Sequence, residues 1–323
     1  MPMMTPSTPR FNRILAFEVA KHELVVHTLP DDRQRRIANR AAAVRRLLRA
    51  ALEHSDTPTL VVCEATGGYE KHVLDEACAL GIACHRAHGT CVRHFARYMG
   101  AAAKTDAIDA RLLALYAQNA RDVRLYRQPA PEQKAARALK ARRDELQHML
   151  IAETNRIEHA EHGFVRANLR AHVRSLKMQI ITIERELAAL VAQTPRLAEQ
   201  ARLMQSVKGV GPETAAAIIA YFPELGSLSK GQAARLVGLA PIARDSGKAA
   251  APRHIEPGRA ALRRTLYMAA VVAMRCNPRL RIFAERLKTK GKPFKLIATA
   301  VMRKLVVILN AVLANGKPTL EYA

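Results

Sequence analysis

A chain of 323 residues with 49% hydrophobic content is long enough for two domains and apolar enough to bury a core. Aromatics at 4% and the absence of tryptophan exclude an aromatic-rich β-sandwich and favour helical packing by Ala, Leu and Val. A net charge of +24, from 52 basic and 28 acidic residues, exceeds what solubility requires and points to a polyanionic partner.

In chain order, the proline-rich "MPMMTPSTPR" lacks the apolar run of a signal peptide. "RILAFEV" (13–19) and "LVVHTLP" (24–30) read as two short strands around a tight turn, with a third at 33–38. "RAAAVRRLLRAALEH" (40–54) is an amphipathic helix with a basic face. "TLVVCEATGG" (59–68) is a buried strand ending in a glycine break, followed by a helix at 69–80 and the strand "IACHRA" (82–87). Further helices start near 90 and at 106. A hairpin followed by alternating strands and helices predicts a mixed sheet with helices on its faces.

The five cysteines form no CxxC pair and are odd in number, which suits a reducing cytoplasm. "CHRAHGTC" (84–91) gathers two cysteines and two histidines without the spacing of a common zinc site; a strand end running into a helix start accounts for it more simply.

In "KTDAIDARLLA" (104–114), Asp106 and Asp109 stand three apart at a helix start capped by Thr105. Acidic residues in a first turn offset the unpaired N–H groups and the helix dipole. The same spacing puts both carboxylates on one helix face, able to share a cation. Glu18 lies near the end of the first strand and Glu64 ends the strand "TLVVCE". Ends of neighbouring parallel strands are where active groups collect. Glu18, Glu64, Asp106 and Asp109 therefore form a candidate four-carboxylate metal site. Each also has a plain structural use, and both readings stay open on spacing alone.

Residues 120–131, with Pro129 and Pro131, read as a linker; 132–193 form two long helices joined near Gly163. "SVKGVGPETAAAIIAYF" (206–222) places a Gly-Val-Gly turn between helices. It is either a helix–hairpin–helix element offering backbone N–H groups to phosphates or an ordinary turn. A short helix at 230–241 precedes a charged loop, 242–258, and helices at 259–276, 278–289 and 293–314. The loop holds Ser246 among Arg244, Lys248 and Arg253, a setting suited to phosphate. The apolar stretch 296–314 is broken by Arg303 and Lys304, too short and too charged for a membrane span, so no membrane partner is expected. Residues 226–323 carry 19 basic and 4 acidic residues, so most of the positive charge lies in this last third.

"LAFEVAK", "VCEATGGY", "KTDAIDARLLA", "VKGVG", "GLAP", "RDSGK" and "GRAALRRTLYMAA" follow one another in an order that resembles the DEDD transposases of the insertion-sequence-110 type, which include pilin-gene invertases and bridge-RNA-guided recombinases. The likeness runs from about 13 to 315. It implies α/β plus α architecture: a RuvC-like (RNase-H-like) metal-binding nuclease domain at 11–120, a coiled-coil helical hairpin at 131–194 and a mostly helical transposase domain at 200–316. It implies a tetrad of Glu18, Glu64, Asp106 and Asp109 holding Mg2+ or Mn2+, and Ser246 as a nucleophile that forms a phosphoserine link to DNA. Nucleic-acid contacts fall to Lys104, to Lys208, Gly209 and Gly211 of the turn, to Arg244, Lys248 and Arg253 of the loop, and to Arg259, Arg263 and Arg264. The implied partners are donor and target DNA, a bridge RNA, and further copies of the chain as a dimer assembling to a tetramer in the bacterial cytoplasm, at the nucleoid. The chain departs from the family at Glu18, where aspartate is usual. A metal-only, resolvase-like nuclease and a weakened nucleic-acid-binding relative are the alternatives.

Overall fold

The computed structural model describes residues 11–53, 57–100, 106–120, 123–242, 254–255 and 258–318. The chain divides into two compact units, Met1–Gln128 and Pro129–Ala323.

The first unit is built on a five-stranded mixed sheet. Strands β1 (Arg13–Val19), β2 (Glu23–Leu29) and β3 (Arg33–Ala38) form an antiparallel meander, and β4 (Thr59–Glu64) and β5 (Ala83–Ala87) add on parallel to β1. The spatial order is β3-β2-β1-β4-β5. Both faces are covered, so the central strands are near-continuous apolar runs. One face presents Leu15, Phe17, Val61 and Cys63 to helices α1 (Ala41–Glu53) and α2 (Lys71–Ala79). The other presents Ile14, Ala16, Leu60 and Val62 to α3 (Gly89–Tyr98) and α4 (Asp106–Asn119), whose Leu113, Ala114 and Ala117 pack against it. Strand β3, "RQRRIA", is the exposed edge, and its arginines discourage pairing with another strand. Arg45 of α1 clamps Glu76 of α2 bidentately at 2.7 and 2.9 Å and holds that carboxyl below its ordinary value.

In "CHRAHGTC", β5 ends at Ala87 and α3 begins at Gly89, with the His88 ring accepting from Thr90 N–H. His85 is fixed by a 2.8 Å bond between Nδ1 and the Arg124 carbonyl. Of residues 120–131, expected as a linker, the part from 123 begins as a segment laid along the sheet edge, with Tyr126 N–H also bonded to Cys84 O at 2.6 Å.

The second unit is helical. Helices α5 (Pro131–His159) and α6 (Gly163–Gln193) form an antiparallel hairpin in which Leu146 meets Leu176 and Ile180, and Arg143 bonds Glu184 at 2.9 Å. Near its base, Lys140 is buried. Its ammonium bonds Asp144 at 2.6 Å and Glu213 at 3.1 Å, and Asp144 also accepts from the Tyr221 hydroxyl at 2.9 Å. The remaining helices are α7 (Pro195–Gln205), α8 (Pro212–Tyr221), α9 (Lys230–Val237), α10 (Ala260–Cys276), α11 (Pro278–Thr289) and α12 (Phe294–Asn315). They enclose one apolar core, with Leu197, Met204, Ile218, Leu266, Val301 and Leu305 at its centre. A two-stranded ribbon pairs β6 (Pro241–Ile242) with β7 (His254–Ile255).

The expectation that the last apolar stretch is too short to span a membrane is corrected. Helix α12 has 22 residues and is long and apolar enough by length and composition to cross one. Half of its apolar window is buried within the unit, as in a core helix.

Candidate active site and nucleic-acid interface

Strand register brings Glu18 and Glu64 together. Phe17 pairs with Cys63 across the parallel β1–β4 ladder, so the next residues on each strand, Glu18 and Glu64, are lateral neighbours. Side chains alternate along a strand. Glu18 therefore shares the face of Ala16 and Glu64 that of Val62, the face covered by α4. Both carboxylates are half-buried, as is Asp109 in the first turn of α4. Asp106 is the first residue of α4, but its side chain is not among the described ones. Among the described residues no group of three or more His, Cys, Asp or Glu side chains is close enough to hold a metal, so Glu18, Glu64 and Asp109 do not make such a group by themselves.

The chemistry of the set nevertheless fits a hard divalent cation: all-oxygen donors, negatively charged, at the C-terminal ends of parallel strands. The Glu64 carboxylate is seated at the start of α3, where a Cβ on Gly89 would collide with its Oε1. Gly89 thus leaves the space this carboxylate uses, a role that spacing gave no hint of. Gly89→Ala puts alanine into a helical position with ordinary φ, which by propensity favours the helix by up to about 1 kcal/mol. The variant is expected to melt no lower than the parent, while displacement of Glu64 lowers DNA cleavage by roughly 100-fold, the cost of an ångström-scale misplacement. Thermal melting and single-turnover cleavage, measured side by side, check this.

Glu70 is a second residue that motif reading missed. It is buried, and its carboxylate accepts from Gly68 N–H at 2.8 Å, Thr66 N–H at 3.3 Å and the Thr66 hydroxyl at 3.2 Å. Burial works to raise its pKa, but these bonds and its own N–H outweigh that and hold it below the ordinary value. Its contribution to stability is present above the unfolded-state pKa and fades as pH falls through the depressed folded value. Glu70 fixes the loop that leaves β4 directly after Glu64.

In the second unit, the turn between α7 and α8 is built on Gly209. Its φ is +103°, and a Cβ there would come 2.5 Å from the Cβ of Ala273 on α10. The neighbouring Lys208 is exposed, and Gly211 is the N-cap of α8 without a side-chain cap. These features suit a backbone N–H site for phosphate.

The segment "GRAALRR" is explained by contacts. A Cβ on Gly258 would collide with the backbone of Val237 and Gly238, so glycine lets the chain cross the end of α9. Arg259 follows. Its guanidinium bonds both Glu224 oxygens at 2.7 and 2.8 Å and the Tyr221 carbonyl at 2.7 Å, and it lies 5.0 Å from the Phe222 ring centroid. The structure thus commits Arg259, expected as a nucleic-acid contact, to internal partners. Arg259→Ala is expected to cost about 2 kcal/mol of stability and roughly 4–8 °C in Tm. A normal Tm with weakened DNA binding would return the residue to the interface. Arg263 is half-buried and Arg264 exposed on the first turns of α10. Lys104, Arg244, Ser246, Lys248 and Arg253 lie outside the described residues, as does Thr105. Residues 243–253, which include Ser246, connect β6 to β7 in the chain.

Family models and known relatives match the chain over most of its length. The model described as "Transposase IS116/IS110/IS902 family" matches residues 201–285, and a model of the DEDD IS110 type, described as "Transposase", matches 19–160. The chain is 28% identical over 270 residues to the pilin gene-inverting proteins of Moraxella lacunata and Moraxella bovis, covering 82% of this chain and 83% of each relative. It is 28% identical over 149 residues to the "Insertion element IS110 uncharacterized 43.6 kDa protein" of Streptomyces coelicolor, covering 45% of this chain and 37% of that one. With one model matching residues 19–160, which hold Glu64, Asp106 and Asp109, and the other residues 201–285, which hold Ser246, the chain is an IS110-type transposase and a DNA transposase or recombinase by class.

Proposed function

We propose that this protein cuts and rejoins DNA through two chemical elements, a carboxylate metal site of Glu18, Glu64, Asp106 and Asp109 and a nucleophilic Ser246. The observation that carries the reading is the adjacency of Glu18 and Glu64 on parallel strands, facing the helix that carries both aspartates. The strand order β3-β2-β1-β4-β5 supports a RuvC-like nuclease unit, and the antiparallel α5–α6 hairpin supports a coiled-coil middle. A divalent cation, Mg2+ or Mn2+, would supply positive charge where a phosphodiester accumulates negative charge.

The serine does the covalent work. Its Oγ forms a bond to phosphorus while the P–O bond to one sugar breaks, and the serine's proton ends on the released sugar hydroxyl. The linkage remains a phosphodiester, so a new hydroxyl can reverse the step and seal a different junction without an outside energy source. Arg244, Lys248 and Arg253 would hold the phosphate. Lys104, Lys208, Gly209, Gly211, Arg263 and Arg264 would hold the backbone of donor and target DNA, with Arg259 anchoring the start of α10 through Glu224 and Tyr221. A bridge RNA would supply sequence choice by base pairing while the protein reads shape and charge, the logic of RNA-guided recognition. Dimers assembling to tetramers would bring two DNA partners together.

The test is to incubate the protein with end-labelled DNA of its own element and flanks, with and without divalent metal, and to denature the mixture. A metal-dependent, protease-sensitive protein–DNA adduct is the expected result. Cutting without an adduct would favour a water-using nuclease, and binding without cutting a weakened relative.

A further inference from the structure

The second unit contains a groove of about 1020 Å3 bounded by α9, the β6–β7 ribbon, α11 and α12. Its floor is apolar, with Leu239, Phe283, Leu296, Val307 and Ile308. Its rim carries Lys230, Arg279, Lys295, Arg303 and Lys304, and none of its described lining residues is acidic. The open face of α12 supplies Leu296, Ala300, Arg303, Lys304 and Val307, a stripe at helical spacing that the core does not cover. Leu296 and Phe294 at the head of this helix are about half exposed, at 47% and 56%.

A second copy of this chain would set five cations against five cations on such a face. A folded duplex offers its charged backbone but keeps its base faces stacked inside. The ligand that matches both rim and floor is a polyanion with exposed flat apolar surfaces. We propose that this groove holds unpaired nucleotides of a DNA strand, with phosphates on the basic rim and bases on the apolar floor.

The position says which nucleic acid. The ribbon residues Pro241, His254 and Ile255 line the groove, and the segment connecting the two strands of that ribbon includes Ser246. Ser246 is four residues from Ile242, at most about 14 Å of chain, so a strand engaged by Ser246 would lie within reach of the groove. The choice of DNA therefore rests on the proposed function of Ser246, while the single-strand character rests on the groove alone. The volume lies at the upper end of the roughly 300–1,000 Å3 typical of a ligand site.

The test uses the full chain and a fluorescent oligodeoxythymidylate near ~0.1 M salt. Lys295→Glu/Arg303→Glu reverses two exposed rim charges. It should weaken binding at least about tenfold and flatten the log–log salt slope by roughly 1.4, the share of two single-strand phosphate contacts. Arg275→Glu/Lys288→Glu makes the same change in net charge at exposed positions off the groove and should weaken binding less than about threefold. An oligomer of abasic sites should bind the parent more weakly than deoxythymidylate, and Leu296→Asn should shrink that difference.

Equal losses in the two double variants would overturn the proposal in favour of diffuse charge. Preference for oligouridylate that is lost in the groove variant would make the occupant RNA. Anionic vesicles displacing the oligomer would make it a lipid surface, and a change of oligomeric state in the groove variant would make it a subunit interface. If the groove variant binds like the parent while Ser246→Ala loses its DNA adduct, the groove assignment falls and the proposed function stands. If the parent forms no adduct but the groove variant loses the oligomer, the groove stands and the serine mechanism falls.

Discussion

Ser246→Ala is expected to reduce strand exchange by about four orders of magnitude or more, the scale on which removing a covalent nucleophile acts, and to leave DNA binding within a factor of a few. The separation of the two effects is the point. The positive charge of residues 226–323 is spread over 19 basic residues, and one uncharged side chain contributes little to it. Serine and alanine differ by one hydroxyl, and the ribbon on either side of residues 243–253 is paired through Pro241, Ile242, His254 and Ile255 rather than through Ser246. A covalent mechanism predicts that the adduct disappears together with exchange. A water-using nuclease predicts that cutting survives the substitution. Recombination by the variant at the parent rate, or an adduct mapped by peptide sequencing to another residue, would sink the assignment.

The sheet was readable from sequence because both its faces are covered. Runs such as "TLVVCE" and "RILAFEV" are apolar at nearly every position, and only a buried strand tolerates that. The lateral pairing of Glu18 with Glu64 was readable only in outline. Each glutamate visibly closes an apolar run, but the register that makes them neighbours is set by contacts between segments some 45 residues apart, which no local pattern encodes. Gly89 and Glu70 were invisible for the same reason: their partners, Glu64 and the Thr66–Gly68 loop, are defined by backbone path rather than residue type.

The helical unit shows the opposite failure. The resemblance implies that the first arginine of "GRAALRR", Arg259, is a nucleic-acid contact. Its actual partner, Glu224, stands 35 residues earlier. Lys140 was overlooked on a long polar-faced helix because its burial depends on Asp144, Glu213 and Tyr221 converging from two helices. The groove beside α12 had no signal in the sequence: half of that helix is core, and only the packing of α9 and α11 shows which half stays open.

Glu18 stands where the resemblance implies an aspartate, and its three variants carry the last prediction. Strand β1 is central, bonded to β2 on one side and β4 on the other, with Glu18 opposite Val25. Such a strand cannot shift to suit a longer side chain. Relative to aspartate, glutamate moves its carboxylate by roughly 1.5 Å, one C–C bond. Magnesium requires oxygens at ~2.0–2.1 Å in near-octahedral order, so a displacement of that size matters. The extra torsion of glutamate lets the group fold back, at the cost of fixing one more rotor. Glu18→Gln keeps the length and removes the charge, and is expected to lower cleavage by at least about 100-fold, the scale of removing one preorganised charge-stabilising group. Glu18→Asp shortens the reach and frees that rotor, and is expected to match or exceed the parent. Glu18→Ala should bind divalent metal more weakly by calorimetry while melting close to the parent, because the residue is half-buried at the penultimate position of β1 and is not part of the apolar core. Parent-level cutting by the glutamine variant would remove Glu18 from the metal site and leave a three-carboxylate set of Glu64, Asp106 and Asp109. Loss of cutting in the aspartate variant would show instead that α4 has settled at a distance set by the longer side chain, making the glutamate a co-adapted part of this site.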